Sequence, residues 1–168
     1  MNYQSLYDFI HDLSQSLNQT VKFFHGRKEV LNLTNPDKGL YVYCLPFTSS
    51  GGFIGGAQIN EVWTVNLIFY QYDTPSSMIN QNDQAIMQEE IKTLTITEQS
   101  ANRFLRLAHG NTINASLEAA SEKITIDSFT KSNAIKDTAQ QLTGTLLTLS
   151  ISVPDDFNYC TLDDLASW

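Results

Sequence analysis

Three histidines are the side chains best suited to move protons or hold a metal at neutral pH. His11 lies in a helical stretch with no His or Cys three or four residues on. His25 and His109 each precede a glycine, Gly26 and Gly110, at positions that read as turns. No two of them have metal-ligand spacing, so each is expected to be a surface or helix-end residue. The carboxylates divide similarly. Asp155-Asp156 and Asp163-Asp164 are hard oxygen ligands, but they lack the alternating spacing and the glycine of a calcium loop. Glu89-Glu90 and the pair Glu118 and Glu122 fit exposed helix faces. No G-x-S-x-G elbow is present, and neither Cys44 nor Cys160 sits in a recognisable nucleophile setting. The glycine-rich segment Ser49–Gly56 lacks the lysine and hydroxyl of a phosphate cradle. No enzyme activity, cofactor or metal is expected from these residues.

The elements that would position them follow from periodicity. Leu6, Phe9, Ile10, Leu13 and Leu17 share one helical stripe, which predicts an amphipathic helix over about residues 3–18. A polar turn follows, then Val30–Leu33 as an edge strand and a Pro/Gly turn over 35–39. Leu40–Leu45 is β-branched and aromatic on both faces, as an inner strand is. Glu61–Tyr72 is the clearest long strand. One face carries Trp63, Val65, Leu67 and Phe69, and the other Val62, Thr64, Asn66, Ile68, Tyr70 and Tyr72.

Asn82 or Asp83 can cap a long second helix and Gly110 can stop it. Met87, Ile91, Leu94, Ala101, Leu105 and Ala108 form its stripe, with Phe104 beside it. The β-branched run Thr93–Thr97 is its weak point, where a break is expected. Ile124 and Ile126 begin a short strand, and after a polar loop the alternation of Thr145, Leu147, Leu149, Ile151 and Val153 makes the last strand, ended by Pro154. The fold class is α+β: a twisted antiparallel sheet of about four to five strands packed against an N-terminal and a long central helix. One domain spans 1–168, with a folded core over 1–160 and a short acidic tail over 161–168.

Composition narrows the partners. A formal net charge of -8 argues against gripping a phosphate backbone, though DNA could slide past such a surface without sticking. Only 17% of residues are charged, so Asn, Gln, Ser and Thr supply the polar surface and copies repel one another little. No apolar stretch reaches the ~20 residues that span a bilayer. With no export signal at the start, folding in a cytoplasm with two reduced structural thiols is expected. The segment Gly51–Gly56 reads as a long mobile loop tipped by Phe53 and Ile54. Those two, with Asn66, Ile68, Tyr70 and Tyr72 of the amphipathic sheet face, are the candidate subunit-interface residues.

This order resembles the tail-terminator, tail-completion and neck connector-ring proteins of tailed bacteriophages. The resemblance covers about residues 3–160. It rests on the leading helix, the strand pair Tyr41–Phe47 and Val62–Tyr72 with its extended loop, the long helix near 83–109 and the closing strand Leu142–Leu149. It implies a virion protein, assembled in the host cytoplasm, that forms a sixfold or twelvefold homo-oligomeric ring. Portal, adaptor or tail proteins would be its neighbours, and DNA would cross its lumen without specific binding. The rivals are a small cytoplasmic enzyme and a ligand-binding α+β module.

Overall fold

A computed structural model describes residues 3–17, 20–26, 39–54, 58–72, 83–113, 125–137 and 142–154. The chain runs α1 (Tyr3–Gln15), β1 (Val21–His25), β2 (Leu40–Cys44), β3 (Thr48–Ile54), β4 (Gln58–Tyr72), α2 (Asp83–Ile113), β5 (Thr125–Asp137) and β6 (Leu142–Pro154). Six strands form one sheet in the order β1-β2-β4-β6-β5, with β3 also paired to β4. The class is α+β, as expected, but the sheet is mixed, because β1 runs parallel to β2.

Two long antiparallel units make most of the sheet. β2 and β3 lie end to end along one side of β4, with registers Cys44↔Leu67 and Thr48↔Thr64. The amide of Leu45 still reaches the carbonyl of Asn66 at 2.9 Å, so Pro46 and Phe47 are only a local interruption of one extended line. β5 and β6 are the second unit, and β6 joins the two through a ladder from Asn60↔Pro154 to Tyr72↔Leu142.

Three expectations change here. Val21–His25 lies in the stretch after the first helix that was expected to be a polar turn, yet it is a strand whose Val21 and Phe23 pack on the core. The glycine-rich stretch from Thr48 to Ile54 is a strand and not a loop: pairing with β4 outweighs the poor strand propensity of Gly51 and Gly52. β5 is 13 residues long where a short strand and a loop were expected. Its polar residues are exposed along an edge, so burial leaves no periodic mark on them. The expected edge strand Val30–Leu33, the turn over 35–38 and the tail 161–168 lie outside the described residues.

Both helices cover one face of the sheet. Leu6, Ile10, Leu13 and Leu17 of α1 are buried with Val42, Val65, Leu67, Phe69, Leu147, Leu149 and Ile151. Each such side chain contributes about 1.5–3 kcal/mol when fully buried. The opposite face holds a second buried cluster, Tyr41, Tyr43, Ile68 and Tyr70, with Phe24, Leu45 and Leu146 against it. Gly144 serves this second cluster. A Cβ there would collide with the Phe69 carbonyl oxygen and lie 2.7 Å from Cδ1 of Tyr70.

α2 is continuous across Thr93–Thr97, where a break was expected. The hydroxyls there support the helix: Thr95 Oγ1 donates to the Ile91 carbonyl at 2.7 Å, Thr97 Oγ1 to that of Leu94 at 3.0 Å, and Ser100 Oγ to that of Ile96 at 2.9 Å. Gly110 does not stop the helix, which continues to Ile113.

Candidate interaction surfaces

The described histidines do not converge. His11 Nδ1 lies 3.1 Å from the exposed carboxylate of its neighbour Asp12. His109 lies on α2, and His25 closes β1 beside Gly26, whose φ of 138° suits glycine. Around His25 an aromatic cluster gathers where the start of α1 meets the sheet. The Tyr3 hydroxyl is 2.7 Å from His25 Nε2, and the Tyr3 ring stands 4.8 Å from Phe47 and 6.3 Å from Trp63.

His25 Nδ1 and Trp63 Nε1 are both buried without a hydrogen-bond partner. Burial lowers the His25 pKa below its ordinary 6.5, and the Cys44 backbone offsets this in part. A Tyr–His pair of neutral groups needs a third group to orient the imidazole before it can act as a base. Among the described residues no carboxylate bonds His25. Cys44 is buried and free, and burial pushes its thiol up to about 12, which leaves it unreactive at neutral pH. No cluster of three or more metal-ligating side chains occurs among the described residues. Asp155, Asp156, Asp163, Asp164, Glu118, Glu122 and Cys160 lie outside them.

The interface residues expected from sequence are scattered by the fold. Ile68 is 4% exposed and Tyr70 is fully buried, so the chain itself covers them and they present no open surface. Their outward position on β4 was read correctly, but the second face of this half of the sheet is buried as well. Asn66 is half-buried, and its Oδ1 accepts a 2.7 Å bond from the Thr148 hydroxyl on β6. Phe53 and Ile54 stand on β3 opposite Ile59 and Gln58, so they belong to a hairpin and not to a free loop. Tyr72 ends β4 opposite Leu142.

The uncovered apolar residues lie elsewhere. Met87 and Ile91 on α2 are 60% and 58% exposed, and Phe129 on β5 is 51% exposed. Among the described side chains of α2 the buried ones are Thr93, Thr97, Ser100, Ala101, Phe104 and Ala108. Ala101 and Ala108 of the apolar stripe read in the sequence, with Phe104 beside it, are therefore in the core and Leu105 packs against them, whereas Met87 and Ile91 are not covered. Hydroxyls are buried on this helix because they have partners, including a 3.0 Å contact between Thr97 Oγ1 and Thr145 Oγ1.

Glu98 and Asn102, at the same helical angle as Met87, Ile91 and Leu105, mark the flank of α2 that faces β5. There Lys131 Nζ donates to Glu98 Oε1 at 3.0 Å and to Asn102 Oδ1 at 2.8 Å. Near the helix's other end an open groove of about 310 Å³ is lined by Leu105, His109, Ile126, Asp127, Ser128 and Phe129.

α2 also outruns the sheet. It passes Thr145 at Thr97 and the β5 residues Ile126 and Phe129 at Leu105 and His109, so it runs in the same sense as β6. Only three residues of β6 precede Thr145, roughly 10 Å of strand. Fourteen residues of α2 precede Thr97, roughly 21 Å of helix. No described side chain of α2 before Thr93 is buried.

No protein-family model matches the chain, and no curated protein matches it either. No helix among the described residues is long and apolar enough to cross a membrane.

Proposed function

We propose that this chain is a structural, non-enzymatic subunit of a tailed-bacteriophage virion, acting as a ring at the head–tail connector or the tail terminus. The observation that carries the reading is the uncovered apolar flank of α2 with its overhanging first half. Side chains such as Met87 and Ile91 gain most of their burial energy only when another molecule covers them. The element order supports it: a leading helix, two long hairpins and one long helix on a single sheet face. A net charge of -8 suits a lumen through which DNA moves without sticking.

Purified protein imaged by negative stain and sized by mass photometry is expected to form closed rings of one stoichiometry, sixfold or twelvefold. A chain that stays monomeric and binds no ring of portal or tail protein would sink the reading. One observation favours a second reading, a small ligand-binding module: the orphaned nitrogens of His25 and Trp63. A small molecule that raises the melting temperature of wild type, but not of His25→Gln, would favour that module over the ring.

A further inference from the structure

The strands beside β4 are covered unevenly. β2 has β1 on its outer side, from Val21↔Leu40 to His25↔Cys44. β1 ends there, where Gly26 takes a φ of 138°. β3 continues the line of β2 but, among the described strands, pairs with β4 alone. The margin of the sheet therefore has a step along β3, seven residues long, roughly 23 Å of strand. Thr48, Ser49, Ser50 and Gly51 are all exposed, so the start of this step is open to solvent.

The opposite margin, β5, is defended against pairing. Its ladder is shifted at Ile126/Ser128 and Asn133/Ile135, and Asp127, Lys131, Lys136 and Asp137 stand along it. β3 has none of these devices. Its register is unbroken from Thr48↔Thr64 to Ile54↔Gln58, and it contains no charged residue and no proline. Glycine inside a strand marks a bulge or the close approach of another backbone. The register runs through Gly51↔Glu61 and Gly52↔Asn60 without a bulge, which leaves close approach.

The face of the step toward α1 adds a second observation. Ser49 stands opposite Trp63 and shares its face. Trp63 is 9% exposed, and its Nε1–H is buried without a partner. The Tyr3 ring, 6.3 Å from that of Trp63, is still 41% exposed. An open row of main-chain N–H and C=O groups, with an unused indole N–H beside it, is matched by another extended backbone.

We propose that β3 is a docking edge for an extended segment of another protein, which adds as a strand in the line of β1. Main-chain hydrogen bonds supply the affinity, as in other strand additions. The paired stretch is uncharged, because β3 offers no charge to compensate one. Two β3 edges laid together would set serine and glycine against serine and glycine, so a β-branched segment is the better complement. The proposal goes beyond the ring reading and does not depend on it, since a monomeric chain keeps the same edge.

The test uses the full chain, labelled with nitrogen-15, and a capped probe peptide, Thr-Val-Thr-Val-Thr-Val-Thr. The probe is also made N-methylated at its valines, at its threonines, and at every residue. Alternate residues of a strand send their N–H groups to opposite edges, and strand addition uses one edge. At least one half-methylated form is therefore expected to bind like the parent, and the fully methylated form not at all. With the parent at about ten times its Kd, the outward amides of β3 should exchange about tenfold more slowly, and the Trp63 indole N–H resonance should move. Equal binding by the fully methylated probe, protection on β5 in place of β3, or no binding at millimolar probe would each overturn the proposal. Outward β3 amides that exchange as slowly as those of β6 in the free chain would overturn it too. Such protection, if lost on dilution, would identify a second copy as the occupant.

Discussion

The two halves of α2 reverse the usual relation between residue type and burial. From Thr93 onward, Thr93, Thr97 and Ser100 are buried along with Ala101, Phe104 and Ala108, while before it Met87 and Ile91 stand in solvent. The helix is one continuous element, so propensity does not separate the halves. What separates them is the sheet beneath, which supports the helix from Thr93 onward and ends before its start. Small hydroxyl residues let the helix approach the strands closely: Thr97 bonds the Leu94 carbonyl and Thr145, and Ser100 the Ile96 carbonyl. Burial along α2 therefore follows where the sheet lies, and Met87 and Ile91 stand before the first described buried position, Thr93.

The contrast is broken most forcefully at Phe104, whose ring packs 5.9 Å from that of Phe69. Phe104→Ala should cost about 3–5 kcal/mol in urea denaturation. Ile91→Ala, on the same helix, should stay within about 0.5 kcal/mol of wild type. Equal costs at the two positions would show that the first half is covered within a single chain. On the sheet's other face, Gly144→Ala should destabilise by about 1–3 kcal/mol, because the new methyl meets the Phe69 carbonyl and the Tyr70 ring. A smaller loss would mean that Tyr70 swings aside freely.

Thr97→Val tests whether the buried hydroxyls matter as hydrogen-bonding groups. It keeps the shape but strips Thr145 of its partner, for an expected loss of about 1–2 kcal/mol, and Thr97→Ser should lose less than Thr97→Val. The smallest effect is at His25. Its pKa is lowered in the folded chain, so below the ordinary 6.5 the unfolded chain takes up a proton that the folded chain resists. Stability linked to His25 is thus complete above about pH 6.5 and declines as pH falls below it. The melting temperature of wild type should drop more between pH 7.5 and 5.5 than that of His25→Gln. The drop should be modest, since the imidazole is only partly buried; parallel slopes for the two proteins would refute the assignment.

Much of this fold was legible. The stripe Leu6-Ile10-Leu13-Leu17 was read as the buried face of α1, and it is. The alternation Trp63-Val65-Leu67-Phe69 was read as the core face of β4, and all four residues are in the core. Illegible were the elements whose burial is decided at a distance. β3 is a strand because β4 offers it a partner, although serines and glycines fill it. β1 adds a parallel edge that no local turn announces. Ile68 and Tyr70 were placed on the correct face but assumed to be open. Phe129 was not singled out, and the only signal for it was a lone aromatic in a polar run.

By itself the sequence determined the α+β class, the core faces of α1 and β4, and a formal net charge of -8. Those follow from local spacing and from summed charge, neither of which needs coordinates. Only the tertiary structure decided that α2 buries Thr93, Thr97 and Ser100 along with Ala101, Phe104 and Ala108 and leaves Met87 and Ile91 exposed. A helix can bury just the arc that its support reaches, and the length and edge of that support are set by strands far away in sequence.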